Sequence, residues 1–150
     1  MKSISLLACV LLLTACSGMS YESLPRTDFP VALTRLGSTV DPQTAQVDVQ
    51  LSVKNAFPRR LKTLRVFVAV YDASGAQLGS DEVIEVLGPI SNGESLGPLE
   101  KITAIRDRNA KCVGVTRVEA VMMDYATQVI AGRDARSLVT DSSYRACAAS

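Results

Sequence analysis

Residues 46–72, QVDVQLSVKNAFPRRLKTLRVFVAVYD, contain the strongest strand pattern of the chain. From Gln46 to Lys54 apolar and polar side chains alternate, which predicts a strand with one face in the core and the other in water. From Leu61 to Asp72 both faces are apolar, so we predict a central strand that is covered on both faces. The intervening residues 55–60 are predicted to form a loop, because Pro58 cannot continue the pairing.

Short apolar runs separated by turn signals predict further strands on either side. The predicted turns and loops are residues 41–44, 72–75, 89–98 and 107–109. The predicted strands are residues 29–37, a segment ending near residue 87, 99–106, 112–125, and edge pieces at 129–131 and 137–140. Residues 99–106 are also compatible with one or two turns of helix, and a bulge is expected near Gly114. This spacing of strands and turns predicts an all-β, antiparallel sandwich.

The composition narrows the possible functions. Of the 150 residues, 47% are apolar and 5% are aromatic, with no Trp, so the core must be built mainly from Val and Leu. The 16 basic residues nearly balance the 15 acidic residues, which leaves no overall basic field to hold nucleic acid. The chain has no His, the commonest general base and metal ligand. We therefore predict no metal site and no cofactor, although carboxylate pairs or Ser-Lys pairs could still support an enzyme.

The N-terminus has the organisation of a secretory signal, in which Lys2 precedes an apolar run that ends at Leu13-Thr14-Ala15-Cys16. This ending resembles the bacterial lipobox, which implies that the signal is removed and that Cys16 carries a diacylglycerol. The apolar run, residues 4–15, is shorter than the roughly 20 residues of a transmembrane helix. A secreted protein with an ordinary Cys16 is the remaining alternative. By resemblance to enterobacterial lipoproteins, Ser17 implies attachment to the outer membrane, with the domain facing the periplasm.

We predict that the chain has three parts. Residues 1–15 are the signal peptide, residues 16–28 are the lipidated cysteine and a tether, and residues 29–150 are the sandwich domain. Residues 17–28 have no apolar period, so we expect them to lift the domain off the membrane. The predicted partners are the membrane, through the lipid, and another envelope protein.

The four cysteines have different predicted fates. Cys9 leaves with the signal and Cys16 is used by the lipid, so Cys112 and Cys147 remain in an oxidising compartment. We predict that these two form a disulfide; the alternative is two separate buried thiols. There is no Cys-x-x-Cys motif to suggest redox chemistry, and two cysteines without His do not make an ordinary zinc site.

Residues 46–106 resemble the FxLYD-type, immunoglobulin-like domains of bacterial lipoproteins. The matching features are an Asn at a strand end, an apolar strand ending in Tyr-Asp, a following Gly, and a Gly-Glu-Ser loop. In this chain they are Val53-Lys54-Asn55, the segment 66–72, Gly75 and Gly93-Glu94-Ser95. The segment from Phe67 to Asp72 departs from the tighter Phe-x-Leu-Tyr-Asp spacing of that family. The resemblance implies an immunoglobulin-like sandwich and little about function, since such domains are adaptable scaffolds.

Two groups of residues are candidate surfaces for a partner. The only basic cluster is Arg59, Arg60, Lys62 and Arg65. It could receive an acidic protein patch or a phosphate-bearing lipid, or it could be a solvated loop and strand face. The second group is Val121, Met122, Met123 and Tyr125. Such a run more often belongs to the core, but Met-rich surfaces adapt well to partners when one face is exposed.

The acidic residues Asp81, Glu82 and Glu85 are the candidates for catalysis, since paired carboxylates can act as acid and base. Pairing with Arg65 and its neighbours across a hairpin is the simpler interpretation. Our leading hypothesis is therefore a non-enzymatic lipoprotein that binds another envelope protein or assists envelope assembly. The alternatives are a subunit of a secretion or conjugation machine, and an enzyme that acts on glycans or peptidoglycan through these carboxylates.

Overall fold

Seven strands and one short helix make up residues 29–141, the part of the chain that the computed structural model describes. They are β1 (Val31–Val40), β2 (Gln46–Asn55), β3 (Leu61–Asp72), β4 (Gln77–Ile90), β5 (Ser95–Arg106), β6 (Ala110–Met122), β7 (Thr127–Ala131) and α1 (Gly132–Arg136). The strands pair antiparallel in two sheets, β1-β2-β5 and β4-β3-β6-β7. The predicted all-β, antiparallel sandwich is confirmed. Within residues 29–141 no helix has the length and apolar character needed to cross a bilayer.

The core lies between the inner faces of the two sheets, and β2 follows the predicted alternation along its whole length. Its inward side chains are Val47, Val49, Leu51 and Val53, each at most 1% exposed. The inward residues of β3 that face them across the core are Leu64, Val66, Val68 and Val70, all fully buried. Aliphatic side chains of similar size therefore fill the core of a chain that has no Trp.

The prediction that β3 is covered on both faces holds in part for its outer face, where Ala69 is fully buried and Phe67 and Tyr71 are half-buried. β3 does lie centrally, between β4 and β6, but no second layer covers its outer side among the described residues. Side chains of the neighbouring strand β6 cover the outer face of β3 locally. The Arg117 guanidinium, for example, stacks 3.8 Å from the centre of the Phe67 ring. A cation over an aromatic face shields the ring while keeping its own charge near water.

The loop predicted for residues 89–98 is much shorter in the structure. β4 continues through Pro89 and β5 begins before Pro98, which leaves a turn of residues 91–94. Both strands lie at a sheet edge, where proline is tolerated because its missing N–H need not pair. At Gly97 (φ +124°) a Cβ would lie 2.8 Å from the Leu51 carbonyl oxygen, so glycine lets β5 approach β2 closely. Residues 99–106 belong to this strand and not to a helix.

The C-terminal part of the described chain differs from the two predicted edge pieces. The first piece is β7, but residues 137–140 form a single parallel bridge, Val139 to Leu33, after the unpredicted helix α1. Ala135 and Leu138 are fully buried there. The Leu33 N–H donates to the Leu138 carbonyl at 2.8 Å, and the Leu33 carbonyl accepts from the Thr140 N–H at 2.9 Å. This segment therefore closes one side of the sandwich, next to β1.

The long strand predicted for residues 112–125 is β6, which begins two residues earlier and ends at Met122. The bulge predicted near Gly114 lies at Thr116, while Gly114 itself pairs regularly with Ala69, and a second irregularity lies at Lys111. The Thr116 hydroxyl donates to the Asp81 carboxylate on β4, so the side chain of the bulged residue has a hydrogen-bond partner.

Four segments meet at one end of the sandwich, which we call the N-terminal end. They are residues 29–30, the β2–β3 loop (56–60), the β4–β5 turn (91–94) and the β6–β7 turn (123–126). The predicted signal and tether, residues 1–28, and the last residues, 142–150, lie outside the described residues. Because the tether would join the domain at Phe29, the N-terminal end is where the predicted anchor would attach.

Candidate functional site

Two adjoining open cavities lie at the N-terminal end, between the β2–β3 loop and the β6–β7 turn. The first, about 330 Å³, is lined by Arg59, Arg60, Met122, Met123 and Asp124. The second, about 370 Å³, is lined by Pro30, Phe57, Pro58, Arg59, Met122, Ala126 and Gln128. They share Arg59 and Met122, and we call the two together the N-terminal groove. The groove joins two residues of the predicted basic cluster, Arg59 and Arg60, with Met122 and Met123 of the predicted Met-rich run.

The β2–β3 loop is held in place by Asn55, whose side chain is 1% exposed. Its Oδ1 accepts from the Phe57 N–H at 2.9 Å, and its Nδ2 donates to the carbonyls of Ile90 and Ser91 at 3.0 Å each. The Phe57 ring packs edge-to-face on Phe29, with 5.4 Å between ring centres. A buried amide with these bonds fixes the loop, so one wall of the groove is formed before any ligand arrives.

The β6–β7 turn forms the opposite wall. The Met122 N–H donates to the Ala126 carbonyl at 2.8 Å, and the Tyr125 N–H donates to the Met122 carbonyl at 3.0 Å. Tyr125 takes a left-handed backbone conformation with φ of 65°. Met123 is 52% exposed and Tyr125 is 70% exposed, whereas Met122 is buried. The Met-rich run therefore divides between core and surface, and Met123 is its exposed residue that lines the groove.

Two cations, Arg59 and Arg60, line this groove together with one carboxylate, Asp124, and a third cation, Lys62, lies against Tyr125 of the same turn. Arg59 pairs with Asp124 at 3.0 Å, but both side chains are more than half exposed, so the pair contributes about 0–1 kcal/mol. Arg60 has no charged partner among residues 29–141. The Lys62 ammonium lies 3.7 Å from the centre of the Tyr125 ring. Through hydrogen bonding and charge it lowers the pKa of Tyr125 below 10.0. The surface is therefore positive and receptive to a carboxylate.

The structure separates Arg65 from the other members of the predicted basic cluster. Arg65 lies on the outer face of β3, where it contacts Glu85 at 2.8 Å and Glu119 at 3.7 Å. Hydrogen bonding to Glu85, together with the charges of both carboxylates, raises the pKa of Arg65. This guanidinium is neutralised within the sheet, so we assign it to the sheet surface and not to the groove.

The three acidic candidates have three different sets of partners. Glu85 pairs with Arg65, as predicted. Glu82 instead accepts from the backbone N–H of Ala104 on β5 at 2.6 Å, with its other oxygen 3.9 Å from Lys101. Asp81 accepts from Gln77 at 2.9 Å and from the Thr116 hydroxyl. Among residues 29–141 no group of three or more Cys, Asp and Glu side chains is placed to hold a metal ion.

A second exposed surface is the outer face of the sheet β4-β3-β6-β7. Leu87 is 74% exposed, Val129 is 56% exposed and Val83 is 37% exposed. They lie around the ion pairs of Arg65, so apolar and charged side chains alternate across the face. Scattered apolar residues of this kind are normal on a protein surface.

Cys112 is disulfide-bonded. It is the only cysteine among residues 29–141, and both its predicted partner, Cys147, and the predicted lipidation site, Cys16, lie outside the described residues. The pairing with Cys147 therefore stays a prediction. Such a bridge would stabilise the domain by about 4 kcal/mol in the chain-entropy description.

We expect no free thiol in the mature protein. Thiol-reactive mass tags added to the unfolded, non-reduced protein should add no mass, because Cys112 and Cys147 would be bonded and Cys16 would carry the lipid. The same protein after reduction is the control and should take up tags on Cys112 and Cys147 only. Tags on Cys147 before reduction would contradict the pairing.

The chain matches no protein family, no curated protein and no solved structure. The resemblance to FxLYD-type domains therefore rests on the residues quoted for it. The structure supplies a physical role for one of them, since Asn55 joins the end of β2 to the β4–β5 turn. Sequence reasoning did not identify Asn55 or Phe57 as residues that shape a site.

Proposed function

We propose that the protein is an outer-membrane-anchored, periplasmic lipoprotein that acts as a non-enzymatic binding module, and that its N-terminal groove captures another envelope protein. The observation that carries this proposal is the meeting of Arg59 and Arg60 with Met122 and Met123 in two adjoining cavities. Cations and adaptable apolar side chains in one concave site suit a protein segment that has both acidic and apolar residues.

The division of roles within the groove follows from its chemistry. Arg60 is exposed and has no charged partner in the described part of the chain, so it can pair with a carboxylate without breaking an existing ion pair. Arg59 would exchange its weak pair with Asp124 for a partner's carboxylate. An apolar side chain of the partner would pack on Met122 and Met123. Because the groove is small and open, we expect a modest interface of the transient class.

The arrangement of the carboxylates favours binding over catalysis. Asp81, Glu82 and Glu85 extend to a hydroxyl, a backbone amide and a guanidinium on different strands. Acid–base catalysis on a glycan needs two carboxyl groups on either side of one scissile bond. These three instead satisfy local partners of the sandwich, which supports a structural role for each.

The test is crosslinking in intact cells followed by pull-down of the full-length protein. The double variant Arg59→Glu and Arg60→Glu should capture the partner at least about tenfold less well, mostly through slower association. Arg108→Glu with Lys111→Glu is the matched control, since both residues are exposed at the opposite end of the sandwich, and it should behave as wild type. Equal capture by the groove variant and the wild type, with equal melting temperatures, would rule out the groove.

A further inference from the structure

From the position of the groove relative to the predicted anchor, we infer that its occupant is an acidic segment of an integral membrane protein, close to the point where that protein enters the bilayer. This inference rests on the proposed function, and it adds the class of the partner and the place of the contact.

The chain enters the domain at the groove itself. Pro30 lines the second cavity, and its carbonyl accepts from the Ala56 N–H at 2.8 Å. Phe29 packs on Phe57, whose ring lines the same cavity. The first described residues of the domain therefore contact the groove wall, and no strand length separates the groove from the attachment point of the predicted tether.

The length of the tether limits the height of the groove above the membrane. Residues 17–28 separate Cys16 from Phe29. Whatever its conformation, such a segment spans no more than about 45 Å, since a chain extends by at most about 3.3–3.6 Å per residue. With its lipid in the bilayer, the groove would stay within that distance of the surface. The turns at the opposite end of the sandwich, such as residues 73–76, lie one strand length from the groove, or about 40 Å.

The charge and shape of the groove select the occupant. Arg59 and Arg60 outnumber Asp124, so an acidic segment is favoured over a basic one. Two concave cavities receive individual side chains, whereas a plane of lipid headgroups would meet a convex or flat surface. A protein segment therefore fits the groove better than the bilayer surface does, although both lie within the reach of the tether.

The test places a photo-crosslinking amino acid at Met123, which is 52% exposed on the groove, in the full-length chain in cells. The control places it at Ala73 in a far turn. We expect an adduct from position 123, and not from position 73, with a protein that resists extraction from the membrane. The crosslinked peptide should contain Asp or Glu and lie next to a membrane span, and neutralising those residues should reduce the adduct.

A second variant tests whether the adduct yield depends on the distance between the groove and the bilayer. A linker of about 30 Gly and Ser residues inserted after Asp28 should lower the adduct yield about sixfold, since effective concentration falls roughly as the −3/2 power of linker length. The same insertion after Ser150 is the control and should change nothing. Adducts with lipid alone, adducts with a soluble protein, or an unchanged yield with the long tether would each overturn this inference. Capture that still depends on Arg59 and Arg60 would leave the proposed function standing.

Discussion

Val68→Asp is expected to unfold the domain. Val68 is fully buried at the centre of β3, and it belongs to the same cluster as Val49 and Leu51 of the facing sheet. A carboxylate there would have no partner and no water, and burying an unpaired charge is among the few single changes that cost more than about 4 kcal/mol. Domains of this size are stable by about 5–15 kcal/mol, so a cost of this size is enough to unfold a domain near the lower end of that range.

The measurement is urea unfolding followed by circular dichroism, with Leu87→Asp as the control. Leu87 lies on the neighbouring strand β4 and is 74% exposed, so the same new charge would stay in water. Leu87→Asp should shift the free energy of unfolding by less than about 1 kcal/mol. A Val68→Asp protein that unfolds cooperatively at the wild-type urea concentration would mean that β3 does not face the core as described.

The strands that could be predicted are those whose pattern is set by their own residues. The alternation in β2 and the apolar run in β3 each follow from burial of the strand itself, and their bounds agree with prediction within one residue. The extension of β4 through Pro89 and of β5 through Pro98 could not be predicted, because proline is tolerated only if the strand lies at an edge, and edge position depends on the order of the whole sheet. Helix α1 has five residues, too few to show a helical period.

The groove was beyond prediction for a related reason. Its two halves were each identified as candidates, but nothing local indicates that the β2–β3 loop and the β6–β7 turn approach each other. Their approach is set by the pairing of β3 with β6, which aligns Leu61 with Met122. The same pairing places Arg65 opposite Glu119, so it also explains why Arg65 has a carboxylate partner on the sheet, whereas Arg60 in the loop has none among residues 29–141.

Asn55→Ala should destabilise the protein by about 3 kcal/mol and weaken the groove as well. The Asn55 amide makes three hydrogen bonds, to the Phe57 N–H and to the carbonyls of Ile90 and Ser91. Alanine would leave the Phe57 N–H and the Ile90 carbonyl without these partners in a buried place, and each buried unsatisfied group costs about 1–3 kcal/mol. In a domain of this size the melting temperature should fall by about 10 °C.

Asn92→Ala is the matched control, because Asn92 is exposed in the same β4–β5 turn that Asn55 holds. It should change the free energy of unfolding by less than about 0.5 kcal/mol. Thermal melts followed by circular dichroism measure both variants, and the crosslinking assay measures partner capture at a temperature where both remain folded. Since Asn55 fixes the loop that carries Phe57 and Arg59, capture by Asn55→Ala should fall even in the folded protein. Full capture by folded Asn55→Ala would show that the partner does not need a preformed wall, and that the groove closes around its ligand only after binding.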